Sequence, residues 1–379
     1  MGAIYLDSAA TTQIDPRVAD LVLHYLKEEF GNAGSRTHSY GSAARSAVEH
    51  AREQVAAVVE AGIDEVIFTS GATESDNIAI LGTMTDVADL AQCHIVTDRA
   101  EHKAVLEPIE HLVNRGCAAT FLDCEESGRI NIEAFAEVLR PNTRLVSIMH
   151  VNNETGVCQP LAEICDLLKG HQAFLHVDAA QGFGKEIETL RNKRIDLISI
   201  SGHKIYGPNG VGALITRKRN GRERLPITPL MYGGGQERNL RPGTLPVPLI
   251  AGLGLAAELA LKESATRWAK AQKLEKSICE FVYDAGGTIN GDRTYSIPFI
   301  LNASFPGLDS EAFIVATKEL IAISNGAACS SSSYDRSHVL EAMGIKGPRL
   351  DGAVRFSWSH ITEEPNFKEV LRVLQSISF

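Results

Sequence analysis

Three stretches of this chain place chemically capable side chains directly behind β-rich runs. Asp178 ends the run Phe174-Leu-His-Val-Asp178, Lys204 sits in Ser201-Gly-His-Lys204, and Gly71-Ala72-Thr73 joins a strand pattern to a helix pattern. A carboxylate where an apolar run stops needs a cationic partner, or else it caps the next helix. A lone strand-end lysine is ordinarily a solvated charge. A glycine turn that opens a helix offers free backbone N–H groups and the positive helix end to an anion, and the Thr73 hydroxyl adds a donor. On its own that turn is equally an N-cap.

Taken together the three are more specific. Pyridoxal phosphate needs a lysine for covalent attachment, a carboxylate beside its ring nitrogen to keep that nitrogen protonated, and a cradle for its phosphate. Lys204, Asp178 and the Gly71–Thr73 turn supply one of each. His102, in Ala100-Glu-His102-Lys103, follows another β-rich run and is suited to stack on the ring or to move protons. An isolated histidine would more often be structural.

The positions of these residues imply a particular framework. From residue 65 onward, short β-rich runs alternate with helical patterns: Glu65–Thr69, His94–Thr97, Leu145–Met149, Phe174–Val177 and Leu197–Ile200 are the expected strands. Such alternation predicts an α/β fold with a largely parallel sheet covered on both faces, and ligands collect at the carboxyl ends of such strands. The alternation stops around Gly233-Gly-Gly235 and Arg241-Pro-Gly-Thr244, and one long helical pattern is expected from Leu249 to Tyr283. A second unit then begins, with a strand at Ile297–Ser304 and a helix at Ser310–Leu320. The boundary is placed near residue 262, giving a large domain over 15–262 and a smaller α+β domain from 1–14 plus 263–379. Gly252-Leu-Gly254 resembles a fragment of a dinucleotide fingerprint, but no strand precedes it, and it reads as helix packing.

Composition narrows the function classes. The 37 basic residues against 47 acidic ones leave a net charge of -10, which argues against nucleic acid or an anionic membrane as a partner. A small molecule or a protein is the better expectation. Met1-Gly2 opens like a myristoylation signal, but Leu6 stands where Ser or Thr is wanted. With neither a leader nor a spanning apolar stretch, the chain is expected to be cytoplasmic. The seven cysteines lack any Cys-x-x-Cys and point to a reducing compartment. Six fall in apolar periodic segments and are expected to be core residues, whereas Cys329 lies among small polar residues in Ser324-Asn-Gly-Ala-Ala-Cys329-Ser.

These residues resemble the cysteine desulfurases of the class V aminotransferase fold. The likeness spans nearly the whole chain: Tyr5-Leu-Asp7-x-x-Ala10-Thr-Thr12, Thr69-Ser-Gly-Ala-Thr-Glu-Ser-Asp-Asn77, Glu101-His-Lys103, His150-Val-Asn-Asn153-Glu-x-Gly156, His176-Val-Asp178-Ala-x-Gln181, Ser201-Gly-His-Lys204, Arg241-x-Gly-Thr244 and Gly326-Ala-Ala-Cys329-Ser. The resemblance implies fold type I, with a seven-stranded, mostly parallel sheet domain and the catalytic cysteine on the smaller domain. It further implies that Lys204 holds pyridoxal phosphate, Asp178 pairs with the ring nitrogen, Gln181 bonds the phenolic oxygen and His102 stacks on the ring. Ala72, Thr73, Ser201 and His203 would surround the phosphate. Thr244 would complete the phosphate cradle of a second subunit, which implies a homodimer with composite sites. Asn153 and Arg355 would hold the substrate, the guanidinium gripping its carboxylate.

Cys329 distinguishes desulfuration from transamination. Once L-cysteine is attached to the cofactor, its sulfur becomes electrophilic, and a thiolate at Cys329 can take it as a persulfide, leaving alanine. A free thiol has a pKa of about 8.5, so deprotonation must be assisted, either by the substrate's own nitrogen or by His102. The 26-residue offset from Cys329 to Arg355 (355 minus 329) resembles the longer catalytic loop of the group I desulfurases. Other enzymes of this fold, an aminotransferase or a selenocysteine lyase, are the alternative; a pure scaffold would have lost cofactor residues, and none is missing. The sulfur acceptor is expected to be a protein, either an iron–sulfur scaffold or a component of DNA or tRNA sulfur modification. Only 24 residues follow Arg355 (379 minus 355), where iron–sulfur members usually carry a longer docking tail.

Overall fold

The computed structural model describes residues 2–85, 89–219, 223–305, 307–325 and 336–377; Cys329 lies outside the described residues. The chain begins with a two-residue strand, β1 (Ile4–Tyr5), then α1 (Pro16–Lys27) and α2 (Ser39–Val58). Asp15 starts α1 by accepting the Arg17 N–H at 3.0 Å, and Pro16 occupies the first turn, where no intrahelical N–H is needed.

Strands and helices then alternate: β2 (Val66–Thr69), α3 (Ala72–Met84), β3 (His94–Asp98), α4 (Lys103–Asn114), β4 (Ala118–Leu122), α5 (Ile132–Val138), β5 (Thr143–Ser147), α6 (Leu161–Leu167), β6 (Phe174–Asp178), β7 (Leu197–Ser201) and β8 (Gly212–Thr216). These seven strands form one sheet in the order β2-β8-β7-β6-β5-β3-β4. Every pairing from β7 through β4 is parallel, and β8 is antiparallel to both its neighbours. The β-branched runs Val66-Ile-Phe-Thr and Leu197-Ile-Ser-Ile are buried throughout, as strands covered on both faces must be. The expected largely parallel α/β sheet is observed. Sequence periodicity had not isolated β4 or β8.

The remaining elements are α7 (Val247–Lys262), α8 (Ser264–Asp284), β9 (Thr288–Asn290), β10 (Ile300–Ser304), α9 (Ser310–Thr317), β11 (Ile321–Ala322), α10 (His338–Ala342), α11 (Pro348–Asp351), β12 (Ala353–Ser357) and α12 (Phe367–Ile377). β9, β10 and β12 make a three-stranded antiparallel sheet, and β1 returns to pair in parallel with β11. Leu6 is accordingly buried with Ile278, Phe281, Leu301, Phe356 and Trp358, in a core distinct from the one that packs Val48, Phe68, Val146 and Ile198 about the large sheet.

The single helix expected over 249–283 is two. The break falls at Glu263, whose N–H caps α7 by donating to Leu259 O at 2.9 Å while its carboxylate takes up Arg17 and Arg267. Gly252 and Gly254 are packing residues: a Cβ on Gly252 would sit 2.7 Å from the Val22 side chain, and one on Gly254 would sit 2.5 Å from the Ala51 Cα. Replacing Gly254 by Val should therefore overpack the α7–α2 contact and cost about 2 kcal/mol, read as a lower urea midpoint.

Candidate active site

At the carboxyl ends of β2, β6 and β7 lies a cleft of about 540 Å³. Its phosphate-sized corner is built by the turn from β2 into α3. Gly71 has φ 155° and ψ -179°, a conformation only glycine adopts readily, and it caps α3 without any side chain. Gly71 packs on Gly212 of β8, where a Cβ would come within 2.6 Å of the Gly71 Cα. The first N–H groups of α3 at Ala72 and Thr73 thus open onto the cleft, beside the Ser201 hydroxyl and His203. Burial, then the charge of Lys204, pushes His203 down to about 4, so it is neutral at pH 7. Glu74 could oppose an anion here, but Arg241 donates to it at 2.8 Å and Ser70 N–H at 2.6 Å. Despite the burial that works against ionisation, those bonds keep its carboxyl below the usual range.

Lys204 emerges from the turn after β7, and its Nζ donates to Ala9 O and, at 2.8 Å, to Ala10 O. Asp178, the last residue of β6, accepts the Ala180 N–H at 2.9 Å, and burial pushes its carboxyl up to about 6. His102 caps α4: its Nδ1 accepts the Ala104 N–H at 3.1 Å, which leaves the ring proton on Nε2. Burial lowers its pKa. His102 is therefore a neutral ring presenting a donor. Gln181 donates through Nε2 to Ala9 O at 2.8 Å.

Arg355 enters from β12, 1% exposed, donating to Asp7 Oδ1 at 2.8 Å and Asn153 O at 3.1 Å. Its Nε has no hydrogen-bond partner among the described residues. Ten sequence-predicted residues, Ala72, Thr73, His102, Asn153, Asp178, Gln181, Ser201, His203, Lys204 and Arg355, line this one cleft. Thr244 does not. It is exposed and borders a separate hollow beside Arg52 and Glu237. That segment is anchored by Arg52, which forks onto Glu237 at 2.8 and 2.9 Å, while Glu237 also accepts the Phe68 N–H at 2.7 Å.

Sequence reasoning missed several participants. Ala9 and Ala10 act through carbonyl oxygens, and no side-chain pattern reveals that. Asp7 and Asp76 carried a usable signal, since both lie inside the recurring segments. Asp76 is fully buried at the cleft floor, 3.4 Å from His176 Nε2, and burial pushes it up to about 7.

The donors, the glycine-only turn and the buried carboxylate fit a phosphorylated, aldehyde-bearing pyridine ring. The model for aminotransferase class V matches residues 4–370. The chain belongs to the class V aminotransferase family. Within that family it is 42% identical to the cysteine desulfurase IscS of Dechloromonas aromatica, over 98% of this chain and 91% of that protein. The crystal structure of DndA from Streptomyces lividans is 51% identical and superposes with a TM-score of 0.82, over 96% of this chain and 100% of that one. SspA in complex with cysteine is 33% identical with a TM-score of 0.82, over 95% and 100% of the two chains.

The class V fold here encloses six described thiols, and none is activated. Cys93, Cys117, Cys124 and Cys165 are buried; Cys158 and Cys279 are partly so. Burial raises all six, with Cys117 at about 11 and Cys158 and Cys165 at about 12. A brief exposure of the native protein to iodoacetamide at neutral pH should leave these six unmodified by peptide mass spectrometry, while denatured protein is labelled at all of them.

Proposed function

We propose that the chain is a pyridoxal-phosphate-dependent cysteine desulfurase. The observation that carries this reading is the meeting of Lys204, Asp178, the Gly71–Thr73 turn and Arg355 in one cleft. Lys204 would hold the cofactor covalently, Asp178 its ring nitrogen, Gln181 its phenolic oxygen, and Ala72, Thr73, Ser201 and His203 its phosphate. His102 would lie against the ring. Bound pyridoxal phosphate supplies an electron sink for the amino-acid substrate. Arg355, with its unengaged Nε, and Asn153 would hold the carboxylate of L-cysteine.

Cys329 would take the sulfur. In balance, the carbon–sulfur bond of cysteine becomes a carbon–hydrogen bond in alanine, and the Cys329 S–H becomes S–S–H; no external oxidant or reductant enters. His102 is an unsuitable base for that thiol, because its Nδ1 is spent on the α4 cap and its Nε2 carries the proton. The substrate's own nitrogen is the better acceptor.

The reading extends to a homodimer in which Thr244 serves the neighbouring cleft. Tyr232 (83%) and the stacked pair Phe30 and Tyr40 are large exposed apolar side chains, of the kind that partners cover. It also extends to two domains, 15–262 and 1–14 plus 263–379, to a cytoplasmic location, and to a sulfur-acceptor protein, either an iron–sulfur scaffold or a DNA or tRNA sulfur-modification protein. No helix among the described residues is long and apolar enough to cross a membrane.

Wild type should take up pyridoxal phosphate and turn yellow; Lys204→Ala should stay colourless. Cys329→Ser should remain yellow and bind cysteine, yet lose alanine and sulfide production by about a hundredfold or more, because a hydroxyl is a far weaker nucleophile at neutral pH. Desulfuration by the Ser variant at the wild-type rate would refute the assignment.

Light scattering should give twice the chain mass. Thr244→Ala should weaken cofactor binding about tenfold, the loss of one hydrogen bond to a charged group, although Thr244 is absent from its own chain's cleft.

A further inference from the structure

The turn after β6 folds back under the cleft. Phe183 N–H donates to Ala179 O at 2.8 Å, and Lys185 and Glu186 N–H donate to Gly182 O at 3.0 and 2.9 Å. Gly182 lies against the His150 ring with no room for a Cβ, and Gly184 adopts φ 74°. With both positions restricted to glycine, the turn returns Lys185 to the underside of Gln181. Lys185 Nζ donates to Gln181 Oε1 at 3.3 Å, Gln181 Nε2 donates to Ala9 O at 2.8 Å, and Lys204 Nζ donates to that same carbonyl.

The surroundings of Lys185 are unusual for a lysine. Its Nζ lies 5.8 Å from the centre of the Phe299 ring, and among the described residues no carboxylate forms an ion pair with it. Glu186 beside it is taken by His150 Nε2 at 2.6 Å. The charged and titratable groups facing it from the turn after β7 are Lys204 and His203. Burial, and then the positive charge of Lys204, pushes the Lys185 amine down to about 7.

We infer that Lys185 is a positioning residue of the cofactor site: it grips the carbonyl end of the Gln181 amide, so that the N–H end faces the cleft. This rests on the reading of Lys204 as the attachment point. A donor at Oε1 and an acceptor at Nε2 remove the two-fold ambiguity of a glutamine amide, because the flipped amide would set its N–H against the Lys185 N–H and its oxygen against Ala9 O. An N–H held toward the phenolic oxygen of the bound ring would stabilise the charged form of that oxygen and so disfavour protonation at the Lys204 nitrogen. Filling space would not require an amine here; methionine has a similar length.

The test uses wild type, Lys185→Met, Lys185→Gln and Lys185→Arg, each loaded with pyridoxal phosphate, with the visible band titrated between about pH 6 and 10. Methionine offers Oε1 no donor and frees the Gln181 amide to turn, so the Met midpoint should move up by about 0.5 unit or more, whereas Gln and Arg keep a donor there and should titrate with wild type. Thermal melts followed by circular dichroism establish that each variant is folded; should Met fail, Lys185→Leu, which also lacks a donor, carries the comparison. A Met midpoint equal to wild type, or Gln and Arg midpoints both shifted as far as that of Met, would overturn the inference while leaving the yellow wild type, and the parent reading, intact. A wild type with no band to titrate would overturn both.

Discussion

The cleft depends on how one ammonium group is seated. Lys204 comes from the large sheet, Arg355 from the small one, and two cations in one cavity repel unless acceptors hold each in place. Residues 7–12 provide them. The carbonyls of Ala9 and Ala10 take Lys204, and the Asp7 carboxylate takes Arg355. That short segment is itself stitched to both sheets: Ala9 N–H donates to Ser357 Oγ of β12 at 2.8 Å, and Thr12 N–H to His203 O at 3.0 Å. The parallel pairing of β1 with β11 sets its register. Residues 7–12 thus space the lysine that would carry the cofactor from the arginine that would grip the substrate.

The floor of the cleft is governed by burial. Four carboxyl groups, Asp76, Asp98, Glu101 and Asp178, lie within or just below the sheet ends, and desolvation raises every one. Asp76 and Asp98 reach about 7 and Glu101 is well above its ordinary value, whereas Asp178 reaches only about 6. Burial thus works against the ionised form of every carboxyl on this floor, Asp178 at the end of β6 included, where the ring nitrogen would lie. His176 is held neutral beneath them, at about 4 through burial, with Ser147 and Ser199 hydroxyls at 2.8 and 2.9 Å on its two ring nitrogens. A cationic ring nitrogen beside Asp178 would favour its charge.

Much of this was legible in the sequence because α/β folds put chemistry at strand ends. The runs ending at Thr69, Asp178 and Ser201 marked three of the walls, and their following residues proved to be neighbours. The strands of the large sheet that escaped detection, β4 and β8, have physical reasons. Ala118-Ala-Thr-Phe-Leu is only partly buried at a sheet edge, and Gly212-Ala-Leu-Ile-Thr begins with the glycine that the Gly71 turn requires, which weakens a strand signal. The break at Glu263 was hidden because the apolar period runs on through it; a pair of arginines, from α1 and α8, decides the turn. Backbone acceptors such as Ala9 O cannot be read from residue types, and neither can the glycine turn that places Lys185 beneath Gln181.

The distribution of thiols bears on how sulfur would be routed. A persulfide exchanges with any accessible thiolate, so a chain with seven cysteines could scatter its product. Exchange needs an ionised attacker, and the six described thiols sit where burial makes ionisation costly, in places as much as several pKa units above an ordinary thiol. The hydrophobic packing that stabilises the two cores therefore also makes those sulfurs chemically silent. On the proposed reading, a nucleophile at Cys329 needs no special recognition of its own sulfur; it suffices that every rival thiol is kept protonated by the fold.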